Sequence, residues 1–104
     1  MNGKSKRITD IVKYLQTKYG AGNILLKDHW EADENAIGLT DKEEQYLAYI
    51  STVGDNGNEF YLELENPPVD DNYPYSPAGE FDKISLLTLE ELLAKHLKLY
   101  GARS

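Results

Sequence analysis

The chain of 104 residues contains no cysteine, which excludes disulfides, thiolate nucleophiles and thiolate metal sites and suits a reducing compartment. It has only two histidines, His29 and His96. They form neither a His-x-x-x-His nor a Glu-x-x-His spacing, so no zinc site and no other cofactor is expected. No apolar run approaches the roughly 20 residues that cross a bilayer. Residues 1–7 are polar and basic, without the apolar stretch of a signal peptide. The expectation is a cytoplasmic protein that does not associate with membranes. Glycine-rich phosphate cradles and nucleophile elbows are missing as well.

What the middle of the chain lacks is positive charge. Residues 28–82 hold fifteen acids against Lys42 alone, a local charge of −14, while the two flanks sum to +7 within a total of −7. A concentrated negative field accelerates and orients encounter with a positive partner, and it repels nucleic acid and anionic lipid. The charge distribution therefore points to a basic protein partner, and away from nucleic acid, before it points to an enzyme. A merely solubilising surface is the plainer alternative.

The length allows one globular domain, residues 1–104, with a single modest core. Its first six residues read as a flexible basic arm carrying Lys4 and Lys6. From there Ile8, Ile11, Val12, Leu15 and Tyr19 fall on one helical face, and Gly20 stands where a left-handed cap commonly ends a helix. The opposite face, with Asp10, Lys13, Tyr14 and Thr17, reads as water-facing. Short extended candidates lie at 23–30 and 36–40. Residues 45–53 are β-branched and aromatic with apolar residues on both parities, as in a central strand covered on both sides. Phe60, Leu62 and Leu64 alternate with Tyr61, Glu63 and Glu65, the pattern of a strand with one dry and one wet face. Asn56-Gly57 between these two stretches predicts an antiparallel hairpin, and a second hairpin can turn at 41–44.

Residues 66–82 contain all four prolines and read as a long loop, which excludes helix and central strand there. Thr88-Leu89-Glu90-Glu91 has the form of a capping box opening a last helix, which Gly101 closes. The fold class is α+β: an antiparallel sheet of three or four strands packed with an N-terminal and a C-terminal helix, the helices on one sheet face.

Asp28-His29-Trp30-Glu31 places acid, imidazole and indole together, but neighbours on a strand point to opposite faces, which argues against a His29 base oriented by Asp28. No catalytic residue is assigned. Trp30 reads either as a partly exposed anchor rimmed by Glu31 and Asp33 or as a core residue. His96, among leucines, reads as a boundary residue with one satisfied nitrogen. The oxygen-rich stretches 55–59 and 70–72 do not reproduce a twelve-residue calcium loop, so no metal is assigned. The remaining candidate surface joins Tyr61, Glu63 and Glu65 of the wet strand face to Asp70, Asp71, Tyr73, Tyr75 and Glu80. Tyrosine offers large contact area at low entropic cost and carboxylates pair with arginine and lysine, so this surface suits a basic protein.

Several runs, residues 28–33, 36–39, 49–52 and 64–68 together with Tyr73-Pro74-Tyr75-Ser76-Pro77-Ala78-Gly79-Glu80-Phe81, resemble small immunity proteins encoded beside bacterial polymorphic or contact-dependent toxins. These proteins comprise many unrelated folds without a shared signature, so no residue role is carried over. The resemblance implies a cytoplasmic, non-catalytic protein that blocks the active site of a cognate toxin domain, often a basic nuclease. Two other readings stand beside it: an acidic adaptor or regulatory protein-binding module, and a small hydrolase using His29 and nearby acids.

Overall fold

The computed structural model describes residues 4–27, 34–52, 59–67 and 76–99. They form a helix α1 (Lys6–Tyr19), five strands β1 (Leu25–Leu26), β2 (Ala36–Thr40), β3 (Leu47–Thr52), β4 (Phe60–Asn66) and β5 (Ser76–Ile84), and a helix α2 (Leu86–Leu97). The strands pair antiparallel in the order β1-β2-β3-β4-β5, so each follows its predecessor as a meander. The α+β class stands, with five strands where three or four were expected.

Helix α1 starts earlier than its apolar pattern. Ser5 caps it by accepting the Ile8 amide, and the Ser5 amide donates to the Glu34 carbonyl at 2.7 Å, so residues 4–6 belong to the fold rather than to a loose arm. Ile8, Ile11, Val12, Leu15 and Tyr19 are buried, as their spacing predicts. Gly20 ends the helix at φ 96° and ψ 129°, a conformation a side chain would strain, though not the left-handed cap expected. The Asn23 side chain donates to the Tyr19 carbonyl at 2.7 Å and satisfies the helix end.

The helices cover one face of the sheet. Ile37, Leu39, Ala48, Ile50, Phe60, Leu62 and Leu64 join Ile8, Val12, Leu15, Leu89, Leu93 and Leu97 in one core. Burying each such leucine stabilises the fold by roughly 1.5–3 kcal/mol relative to leaving it in water. β4 alternates as its sequence predicts, whereas the strand buried along its whole length is β2, beside the central β3. The β2–β3 hairpin turns at 41–46: Asp41 accepts the Glu44 amide with its carbonyl and the Gln45 and Tyr46 amides with its side chain. β3 and β4 pair from Thr52↔Phe60 to Leu47↔Glu65, the register of the expected hairpin, whose turn lies outside the described residues.

Two sequence expectations are corrected toward the end of the chain. The stretch 66–82 is not loop throughout, because from Ser76 onward it is the edge strand β5, the position in a sheet that tolerates Pro77. β5 carries extra residues against β4 at Ala78 and at Asp82-Lys83, where Lys83 has φ 54°. The second irregularity lets Phe81 and Ile84, three residues apart, both pack on the core. Helix α2 is capped by Ser85, which accepts the Thr88 amide, and not by Thr88; it ends at Leu97, with Lys98 in the left-handed conformation, well before Gly101. Glu91 therefore has no box to close, and Glu90 turns inward.

Candidate functional site

The side of the sheet away from the helices carries the candidate surface, and strand register assembles it. Gly38, Tyr49, Glu63 and Glu80 form one row across β2, β3, β4 and β5; Ala36, Ser51 and Tyr61 form the next, and Thr40, Leu47, Glu65 and Pro77 the one beyond. Strand alternation sets the opposite parity into the core, so these residues share the other face. Its β2 margin is closed to solvent: Ala36 and Thr40 are fully buried and Leu47 nearly so. Toward the other margin the face opens: Tyr49, Ser51, Tyr61 and Glu63 are half-buried and Glu80 is exposed.

Tyr61 holds this half together. Its hydroxyl lies 2.8 Å from Glu80 Oε1 and 3.3 Å from Glu63 Oε1, and with a single proton to donate it favours Glu80. Burial, then the bond to Glu80 and the charge of Glu63, push its phenol far above the ordinary tyrosine range, so it remains a donor throughout the physiological range. The Tyr49 and Tyr61 rings meet edge to face, with centroids 6.4 Å apart and planes at 74°. Glu63 and Glu80 stand directly opposite each other across two strands, a like-charge arrangement that costs up to about 1 kcal/mol. Among the described residues neither carboxylate has a basic partner.

Of the residues singled out from sequence, the fold thus brings Tyr61, Glu63, Glu65 and Glu80 onto one face. Trp30, Glu31, Asp33, Asp70, Asp71, Tyr73 and Tyr75 lie outside the described residues, as do Asp28 and His29. Tyr49 was not singled out. Its signal was its parity: in a 45–53 strand paired through the Asn-Gly turn, it falls opposite Glu63.

His96 behaves as a boundary residue. Nε2 is 2.8 Å from the Glu65 carbonyl, which can only accept, so Nε2 carries the proton, and the ring meets Tyr46 edge-on at 5.3 Å. Among the described residues no group of three or more His, Asp or Glu side chains is arranged to hold a metal ion, and no helix is long and apolar enough to cross a membrane.

A second polar cluster, absent from the sequence reading, binds the two helices together. The buried Glu90 carboxylate accepts from Tyr14 Oη at 2.7 Å, Tyr19 Oη at 2.7 Å and Lys18 Nζ at 2.5 Å. Tyr14 is exposed, as its place on the outer helix face predicts, and its hydroxyl reaches across the seam to α2. Burial alone would raise the Glu90 pKa, but the bonds from Lys18, Tyr14 and Tyr19 outweigh it and hold the carboxyl below the ordinary glutamate range. The cluster joins α1 to α2, with its carboxylate buried and Tyr14 and Lys18 at the solvent edge.

No family model, curated protein or solved structure matches this chain. Its functional reading rests on the geometry of the β4–β5 face.

Proposed function

We propose that the chain is a stoichiometric inhibitor of the immunity-protein kind, which binds a cation-rich toxin domain, such as a nuclease, through its acidic sheet face. The observation that carries this reading is the Glu63–Glu80 pair. Two carboxylates are held face to face beside two tyrosines, without a base among the described residues, on the sheet face away from the helices. A like-charge pair weakens the isolated fold and gains only when a cation arrives, which is the signature of a surface tuned for an encounter rather than for stability. The charge of the chain adds range, since fifteen of its eighteen acids fall within residues 28–82 of the sequence. A nuclease cleft is positive in order to hold phosphates, and an acidic protein can occupy it without chemistry of its own.

The test is capture from native cells at low ionic strength with the tagged chain as bait, followed by identification of the captured protein and titration of its toxic activity. The reading expects a basic protein whose activity disappears at one equivalent. It also expects an association rate that falls steeply as salt shortens the screening length toward about 8 Å. Capture of no basic protein, or an association rate indifferent to salt, would overturn it.

A further inference from the structure

We infer that two copies of the chain associate as a two-fold symmetric dimer, the outer face of α2 in one packed antiparallel on the same face of the other. The inference is independent of the proposed toxin-binding reading, because α2 lies across the sheet from Tyr61, Glu63 and Glu80 and the dimer leaves that face free.

α2 buries Leu89, Glu90, Leu93 and Leu97. With about 100° of turn per residue, the opposite side of the helix carries Leu87, Glu91 and Lys95 in one row at i, i+4 and i+8, all three exposed. Half-buried Leu92 and Leu99 border the row. Leu87 is 67% exposed, the most exposed large hydrophobic side chain among the described residues. Glu91 and Lys95 stand four apart in the order that favours a bond along the helix, yet neither forms an ion pair among the described residues.

The order of the row fixes its occupant, because the row complements itself. Two such helices related by a two-fold axis level with Leu93 set Glu91 of each copy against Lys95 of the other, since both residues lie two positions, about 3 Å of rise, from the axis. The same operation brings Leu87 of each copy to the C-terminal end of the other helix. There Leu99 is fixed by the bond from its amide to the Ala94 carbonyl. Two ion pairs and two apolar contacts thus come from one row, and the helix dipoles run opposed. A parallel arrangement would instead set Glu91 against Glu91 and Lys95 against Lys95. α2 also lies outside residues 28–82, where fifteen of the eighteen acids fall, so the copies meet away from the most acidic stretch of the sequence. The ion pairs set orientation and register, as exposed pairs contribute little affinity, and the leucines supply the apolar area.

Sedimentation velocity on the whole chain at rising concentration reads the monomer–dimer equilibrium. A row of three side chains makes a small interface, so the expected Kd is on the order of 100 μM. Glu91→Lys and Lys95→Glu alone should each weaken association about tenfold, because each places like charges in both pairs. The double variant Glu91→Lys/Lys95→Glu, whose net charge equals that of the native chain, should regain the native Kd. Leu87→Gln, at a position already open to water in the single copy, should weaken association about tenfold without touching the helix charges. Thermal melts at low concentration establish that each variant is folded. A chain that stays monomeric up to about 1 mM would overturn the dimer. Association that the single charge variants and Leu87→Gln leave unchanged would overturn its placement on α2, and a double variant no better associated than the single ones would overturn the antiparallel pairing.

Discussion

Replacing Glu90 by glutamine should loosen the seam between the helices by an amount the structure allows to be worked out. The substitution conserves volume, so no cavity arises; what changes is the acceptor. Oε1 accepts from Tyr14, and Oε2 accepts from both Tyr19 and Lys18. An amide offers one oxygen in place of two, and its best orientation keeps that oxygen on the Tyr19 side and turns the NH₂ toward Tyr14. A hydrogen bond to a charged group contributes about 1.5–3 kcal/mol and a neutral one about 0.5–1.5, so the buried Tyr19 bond weakens by about 1 kcal/mol. Tyr14 is 41% exposed and water can replace part of its bond, which adds about 0.5 kcal/mol. The half-exposed Lys18 ammonium is screened by solvent and is not counted. The total is about 1.5 kcal/mol, which for a domain of this size lowers the melting midpoint by about 7 °C.

Thermal unfolding followed by circular dichroism at neutral pH measures this loss directly. Its pH dependence supplies an independent check. The folded Glu90 carboxyl titrates below the unfolded one, so its stabilisation is fully present above the unfolded pKa and is lost as pH falls through the folded pKa. The gap between the native chain and Glu90→Gln should therefore close in acid. The Tyr19→Phe and Glu90→Gln losses should also be less than additive, because they remove the same bond. A Glu90→Gln midpoint within about 2 °C of the native chain, or a gap that persists unchanged in strong acid, would refute the reasoning.

Two further outcomes follow from the same geometry. Lys18, Tyr19 and Tyr61 all hold their protons more tightly when folded than their ordinary values of 10.5, 10.0 and 10.0. Their stabilisation is present below those values and is lost as pH rises through the higher folded ones, so the melting midpoint should fall above about pH 10, and Tyr19→Phe should flatten that fall; a midpoint unchanged up to about pH 12 would contradict it. Thr40 is fully buried and its Oγ1 has no hydrogen-bond partner among the described residues, so Thr40→Val, which keeps the shape and removes the stranded hydroxyl, should stabilise the chain by about 1 kcal/mol in denaturant unfolding. A loss of stability instead would mean that the hydroxyl is satisfied in solution.

Much of this architecture was legible because short-range chemistry writes it. The spacing from Ile8 to Tyr19, the alternation from Phe60 to Glu65 and the Asn-Gly between two extended runs each report a local period, and each element formed where its period lay. The error at 66–82 has a different cause. Ser76–Ile84 is a strand because β4 offers it a partner, not because its own pattern demands it; β5 even carries Pro77, Gly79 and two bulges. The Thr88-x-x-Glu91 capping box was a plausible local signal defeated by another, the Ser85 hydroxyl one turn earlier.

The same division runs through the candidate site. Sequence order alone determined that acids concentrate between residues 28 and 82, and strand alternation placed Tyr61, Glu63 and Glu65 on one wet face. Only the tertiary structure decided that Glu80 stands opposite Glu63, that Tyr49 supplies the second ring, and that Glu90 faces inward to three donors from α1. The physical reason is reach. Periodicity and charge are properties of neighbours along the chain, whereas these contacts join residues held together by register and packing, which no local pattern encodes.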